Sequence, residues 1–193
     1  RFALPSSCRV EASIVEKLVI TGPGHIRGEL TVSGSKNTAL MLMAGSLLAG
    51  GKTHISNVPS LRDISTFSQV LRVLGAEVTL DDSAGMLNID ASNLTSYEAP
   101  YELVKKMRAS FYTLGALVGR FGQARVSLPG GCAWGPRPVD LHLSGIRALG
   151  ANIELDHGYV VARAKGGRLS GGEFRFEKSS VGATVNLMLA AVL

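Results

Sequence analysis

"LRVLGAEVTL" at residues 71–80 and "IRALGANIEL" at residues 146–155 follow one pattern, 75 residues apart. In each, the end of an amphipathic helix meets a glycine, and alternating residues after it predict a strand. The agreement extends outward. Upstream, "THISNVPSLRD" (53–63) and "ARVSLPGGCAWGPRPVD" (124–140) each predict a strand and a proline turn. Further upstream, "KNTALMLMAGSLLAGG" (36–51) and "MRASFYTLGALVGRFG" (107–122) each predict an apolar helix. Downstream, "AEVTL" is followed by "MLNIDA", and "ANIEL" by "YVVARA", across short polar turns that contain glycine.

The unit is therefore helix, strand, helix, strand, strand, about 70 to 75 residues long, and it occurs twice. A third copy starts at "SSVGATVNLMLAAVL" (179–193) and carries only its first helix. "GELTVSG" (28–34) and "GEFRFEK" (172–178) predict a strand ahead of the first and third copies, which makes the unit βαβαββ. Ahead of the second copy, "PYELVKK" (100–106) reads as the start of a helix, so the strand there is short or missing. The first helix of each unit is apolar almost all round and should be buried; the second is more polar and should lie partly outside. Three such units would turn their sheets outward around a helical centre. The expected fold class is α/β (α+β), an inside-out α/β barrel cut after about two and a third units.

Composition supports a folded chain. With 46% hydrophobic and 18% charged residues it can bury a core, and 193 residues suffice for one large or two small domains. The net charge of +5 is compatible with anionic partners. Nucleic-acid binding usually needs a basic stripe, whereas the longest basic run here is Lys105-Lys106 with Arg108 nearby. A small phosphate-bearing ligand is the better expectation. The two cysteines, Cys8 and Cys132, make no disulfide framework. No Cys/His cluster has metal-ligand spacing, and His25, His54, His142 and His157 are dispersed, so no metal is expected. No apolar run reaches the length of a membrane span. "RFALPSSCRVEAS" (1–13) reads as a leader, a transit-peptide remnant or a translation artefact. The expected organisation is a leader over 1–18, a segment over 19–35 that pairs with a second domain, and an incomplete first domain over 36–193.

Three stretches carry candidate chemistry. Cys132 lies in "PGGCAWGPRPVDLH" (129–142) between two glycines and Pro-Arg-Pro. It reads equally as a small buried hydrophobe or as a thiol presented on a loop, where a positive neighbour such as Arg137 would favour the thiolate. Lys36 and Asn37, in "SGSKN", open a helix directly after a glycine. Free N–H groups there suit a phosphate or carboxylate, although a capped helix with a solvated lysine is the commoner outcome. The pattern recurs: Arg108 begins the second such helix, and Lys178 with Ser179 and Ser180 begins the third. Three basic residues at three equivalent helix starts would converge on one anion. In "RPVDL" (137–141), Asp140 is a candidate helix N-cap, with exposed backbone around it for a flat heterocycle.

Together "SGSKNTAL", "NVPSLRD", "MRAS", "LPGGCAWGPRPVDLH" and "SVGAT" closely resemble the UDP-N-acetylglucosamine 1-carboxyvinyltransferases, a family of enolpyruvyl transferases. The likeness runs from about Val19 to Leu193, the first half of a family-length chain. It implies two similar domains of three βαβαββ units with a cleft between them. It implies transfer of the enolpyruvyl group of phosphoenolpyruvate to the 3′-hydroxyl of UDP-N-acetylglucosamine, without metal or organic cofactor. On this resemblance Cys132 is the general acid of a loop, able to bond phosphoenolpyruvate and to be alkylated by fosfomycin. Lys36 and Asn37 match the phosphoenolpyruvate site. Arg108, Arg137, Pro138, Val139, Asp140, Leu141, Lys178, Ser179, Ser180, Val181 and Gly182 match the nucleotide-sugar site. The family's base for the sugar hydroxyl lies in the second half, so a further domain, in cis or in trans, is implied as partner, and this chain alone should not turn over. No nucleic acid or membrane partner is implied. A bacterial source would place the protein in the cytoplasm; a transit-peptide remnant would place it in the plastid stroma. The rival enzyme, the enolpyruvyl transferase of the shikimate pathway, shares the "GSK" start but lacks the "PGGC" loop. The rival of another class is a non-catalytic fragment that retains only nucleotide-sugar binding.

Overall fold

In the computed structural model, the residues that can be described are 19, 22, 24, 25, 27–105, 107–129 and 138–193. The chain divides into two compact units, residues 1–32 and 33–193. The described residues of the first form neither helix nor strand. The helices and strands below all belong to the second.

The first repeat runs α1 (Lys36–Ser46), β1 (Lys52–Ile55), α2 (Arg62–Val73), β2 (Glu77–Asp81) and β3 (Met86–Asp90). The second runs β4 (Glu98–Ala99), α3 (Tyr101–Val104), a 3₁₀ turn (Arg108–Tyr112), α4 (Thr113–Phe121), β5 (Gln123–Ser127), α5 (Asp140–Ala148), β6 (Ala151–Asp156) and β7 (Tyr159–Ala164). A short 3₁₀ turn at Lys165–Gly167 follows, and α6 (Val181–Ala191) opens the third copy. The two glycines that frame the repeat behave alike. Gly75 and Gly150 follow α2 and α5 with φ of +102° and +101°, a region that disfavours a Cβ. At both, a Cβ would also collide with a neighbouring segment, at Thr95 and Ser170 respectively.

The sheets repeat as well. The first has strand order β1-β3-β2 and is antiparallel, with Thr53 opposite Ile89 and Val78 opposite the same residue. The second has order β4-β5-β7-β6, with β4 joined parallel to β5. The strand ahead of the second unit thus exists and is two residues long. The expected strands at 28–34 and 172–178 do not form. Extended segments become strands only where another strand completes their hydrogen bonds. Among the described residues neither segment has such a neighbour.

Alternation on β3 turns Leu87 and Ile89 inward, and α2 buries Ile64, Phe67, Val70 and Leu71 on one face against the sheet. The inner helices meet at the centre: α4 contacts both α1 and α6. The expectation that they are wholly buried needs correction. It holds for α4, where every residue from Thr113 to Val118 is buried. In contrast, α1 leaves Leu42 half exposed, and α6 buries only Ala183, Asn186 and Ala190. A helix apolar all round is covered all round only where it has neighbours on both sides, and among these three that is α4.

Candidate anion-binding cleft

The starts of α1, the Arg108 turn and α6 come together. Asn37, Leu40 and Met41 from α1, Arg108, Ala109 and Tyr112 from the turn, and Val181 and Gly182 from α6 line a cleft of about 240 Å³. This is below the roughly 300–1,000 Å³ of pockets for whole small-molecule ligands. It suits one anionic group of a larger molecule.

Serine caps shape two of its walls. Ser35 accepts a hydrogen bond from the Thr38 amide at 3.3 Å, and Ser180 from the Ala183 amide at 3.2 Å. Each cap satisfies one amide of a first turn and leaves those before it outside the helical ladder. The positive ends of two eleven-residue helices thus meet the Arg108 guanidinium. Tyr112 brings a phenol whose pKa is raised by burial, against the pull of Arg108, so it stays a neutral donor.

The convergence of three basic residues is only partly realised. Arg108 lines the cleft, but it opens a 3₁₀ turn five residues before α4 begins, not the α-helix itself. Lys36 does not line the cleft; its ammonium bonds the Asp63 carboxylate at 2.5 Å, on the first turn of α2. The Gly34 amide donates to the Asn57 side chain at 3.0 Å, which ties the approach to α1 to the turn before α2. Lys178 and Ser179 are exposed and lie outside the lining.

The first turn of α5 reaches the site through His142. Pro138 and Asp140 are exposed, and Val139 and Leu141 are half-buried. Asp140 is not the N-cap: Val139 holds that position, and its side chain makes no capping hydrogen bond. The reason is register, because Val139 packs on the core and places Asp140 one residue inside the helix, where its charge still suits the dipole. Cys132 and Arg137 lie outside the described residues.

Three residues of the site carry signals that sequence reading passed over. Asp63 stood in "NVPSLRD" without a role, because its partner is 27 residues away. His142 and Asn186 form a buried network behind the cleft. The Asn186 Nδ2 donates to the Phe111 carbonyl at 3.1 Å and to His142 Nδ1 at 3.0 Å, while its Oδ1 accepts from the Gly115 amide at 2.6 Å. His142 Nδ1 is therefore an acceptor, the ring is neutral, and the proton sits on Nε2. Burial, followed by Arg108, lowers the His142 pKa to about 4 against the opposing effect of Asp140. Nε2 is buried without a partner among the described residues. It lies under Gly182, where a Cβ would stand 3.4 Å from it. Among the described residues no three His, Cys, Asp or Glu side chains cluster to hold a metal, and no helix is long and apolar enough to cross a membrane.

Residues 20–193 match the family described as "EPSP synthase (3-phosphoshikimate 1-carboxyvinyltransferase)". The UDP-N-acetylglucosamine 1-carboxyvinyltransferase of Chloroherpeton thalassium is 57% identical over 180 residues, 93% of this chain and 42% of that protein. The protein of the same name from Saccharophagus degradans is 49% identical over 179 residues, with the same two shares. Among solved structures, the enolpyruvyl transferase NikO from Streptomyces tendae matches with a TM-score of 0.64 at 27% identity, over 75% of this chain and 31% of that one. EPSP synthase from Acinetobacter baumannii matches with a TM-score of 0.63 at 19% identity, over 84% and 37%, a likeness of fold alone. The chain thus spans 42% of the length of the curated relatives it matches. The repeated units, their α/β architecture and these matches agree: the chain belongs to the enolpyruvyl transferase family.

Proposed function

We propose that the protein carrying this sequence transfers the enolpyruvyl group of phosphoenolpyruvate to the 3′-hydroxyl of UDP-N-acetylglucosamine. The observation that carries this reading is the cleft at which Asn37, Arg108 and Gly182 meet, in a chain 57% identical to a protein named for that reaction. The cleft offers helix N-termini and a guanidinium to an anion, and its volume fits one phosphate or carboxylate rather than a whole nucleotide sugar.

In this reading the sugar hydroxyl adds to C2 of phosphoenolpyruvate while the methylene carbon takes a proton from the Cys132 thiol. The tetrahedral adduct then loses phosphate and a methyl proton, and the vinyl ether is restored. The cationic charge that develops at C2 needs nearby carboxylate and phosphate held firmly and water kept out. Lys36 and Asn37 hold phosphoenolpyruvate. Arg108, Arg137 to Leu141 and Lys178 to Gly182 hold the nucleotide sugar. Asp63 keeps the Lys36 ammonium oriented until the anion arrives. A further domain supplies the base for the sugar hydroxyl.

The "PGGC" loop at 129–132 favours UDP-N-acetylglucosamine over shikimate 3-phosphate as acceptor. The experiment is phosphate release by the full-length protein. It is expected to require both phosphoenolpyruvate and UDP-N-acetylglucosamine, and to be abolished by Cys132→Ala. Equal release without any acceptor would overturn the reading.

A further inference from the structure

The polypeptide from Arg108 to Phe121 changes helix type at Tyr112, from 3₁₀ to α. In an unbroken α-helix the Gly115 amide would bond the Phe111 carbonyl, four residues back. Here those two groups both bond the side chain of Asn186, from α6. The carboxamide stands inside the helical ladder in place of one backbone bond. Gly115 makes room for it, since a Cβ there would lie 2.1 Å from the Asn186 carbonyl oxygen and 2.4 Å from Oδ1. The remaining Nδ2 proton goes to His142, so one amide joins α4, α5 and α6. Phe111 packs edge-on against the His142 ring, with centroids 5.4 Å apart.

The change of helix type decides where Arg108 points. A 3₁₀ helix turns about 120° per residue and an α-helix about 100°, so over the four steps from Tyr112 back to Arg108 the two differ by roughly 80°. Closing the ladder would carry the guanidinium away from the start of α6.

We propose that Asn186, held by His142, is a positioning residue: by interrupting the helical ladder it fixes the 3₁₀ turn that aims Arg108 into the cleft. The proposal rests on the reading of Arg108 as a nucleotide-sugar contact. Asn186 itself touches no ligand and acts through the turn.

The test is the affinity of the full-length protein for UDP-N-acetylglucosamine, measured by titration calorimetry beside the melting temperature. Asn186→Ala is expected to weaken binding about fivefold to tenfold, the usual size of coupling within one hydrogen-bonded network. In an Arg108→Ala background the same change is expected to add less than about twofold, because its effect passes through Arg108. Two further variants serve if Asn186→Ala unfolds. His142→Asn keeps an acceptor where Nδ1 stands and should bind within about twofold of the parent, whereas His142→Gln loses it and should bind several-fold more weakly. Both remove the ring, so a purely structural role would move them together. Unchanged affinity of Asn186→Ala, full additivity with Arg108→Ala, or equal affinities of the His142 pair would overturn the proposal. If Arg108→Ala binds like the parent, the reading of Arg108 fails first and takes the proposal with it. If Arg108→Ala weakens binding and the Asn186 and His142 variants do not, the proposal alone fails.

Discussion

Gly115→Ala is the substitution whose sign the packing predicts against local preference. On an isolated helix, alanine for glycine stabilises by about 1 kcal/mol. In this fold α4 crosses α6 so closely that the new methyl would lie 2.1 Å from the Asn186 carbonyl oxygen and 3.0 Å from its carbonyl carbon. Both are backbone atoms, so no side chain can swing aside. An ordinary contact needs about 3.4 Å or more, and the helices must part by more than 1 Å at that point. Overpacking of this kind costs about 1–3 kcal/mol, occasionally more. Parting also stretches the 2.6 Å bond from the Gly115 amide to Asn186, worth about 1 kcal/mol net. After the gain in propensity, a net loss of about 1–3 kcal/mol remains. For a unit of this size that lowers the melting midpoint by roughly 3–10 °C. Differential scanning calorimetry of the parent and the variant measures it. A midpoint equal to or above the parent's would show that α4 and α6 do not pack as described.

Three other outcomes follow. Fosfomycin should form one covalent adduct at Cys132 in the full-length protein, detected by peptide mass spectrometry and absent in Cys132→Ser; an adduct elsewhere would remove the thiol from the mechanism. His142 is held neutral in the fold with a pKa near 4, below its ordinary value near 6.5. Between those values the unfolded chain binds more protons, so its contribution to stability is complete above about pH 6.5 and is lost as pH falls to about 4. Unfolding measured across that window should show a shallower pH dependence in His142→Asn, and an unchanged slope would contradict the buried neutral ring. Residues 1–193 expressed alone should release no phosphate from phosphoenolpyruvate and UDP-N-acetylglucosamine; turnover by that piece would show that no further domain is needed.

Local signals carried the fold where the partners of each residue were near in sequence. The match of "LRVLGAEVTL" with "IRALGANIEL" placed α2, β2, α5 and β6, and it identified Gly75 and Gly150 as turn points, both left-handed in the structure. "PYELVKK" announced α3 and a shortened strand, and β4 has two residues. What failed depended on distant partners. "GELTVSG" and "GEFRFEK" have strand character, but pairing is a property of two segments, and among the described residues neither finds its second. "MRASFYTLGALVGRFG" reads as one helix because the residue that interrupts it, Asn186, is 71 positions beyond Gly115. Asp140 looked like a cap, yet the burial of Val139 sets the register of α5.

Much the same holds for the candidate cleft. Asn37, Arg108, Val181 and Gly182 were legible as helix starts of equivalent units, and these four line it. That Lys36 would turn to Asp63, and Lys178 to solvent, was not, since both outcomes depend on how α2 and α6 sit against their neighbours. His142 was set aside because it lacked metal-ligand spacing. Its part is to accept one hydrogen bond from Asn186, for which no sequence spacing is diagnostic.

Competition between the two acceptors decides which one the enzyme uses. The full-length protein is given phosphoenolpyruvate with equal concentrations of UDP-N-acetylglucosamine and shikimate 3-phosphate, and the products are resolved by mass spectrometry. The expected product is the enolpyruvyl ether of UDP-N-acetylglucosamine. Formation of the shikimate ether instead, or of neither, would contradict the proposed function.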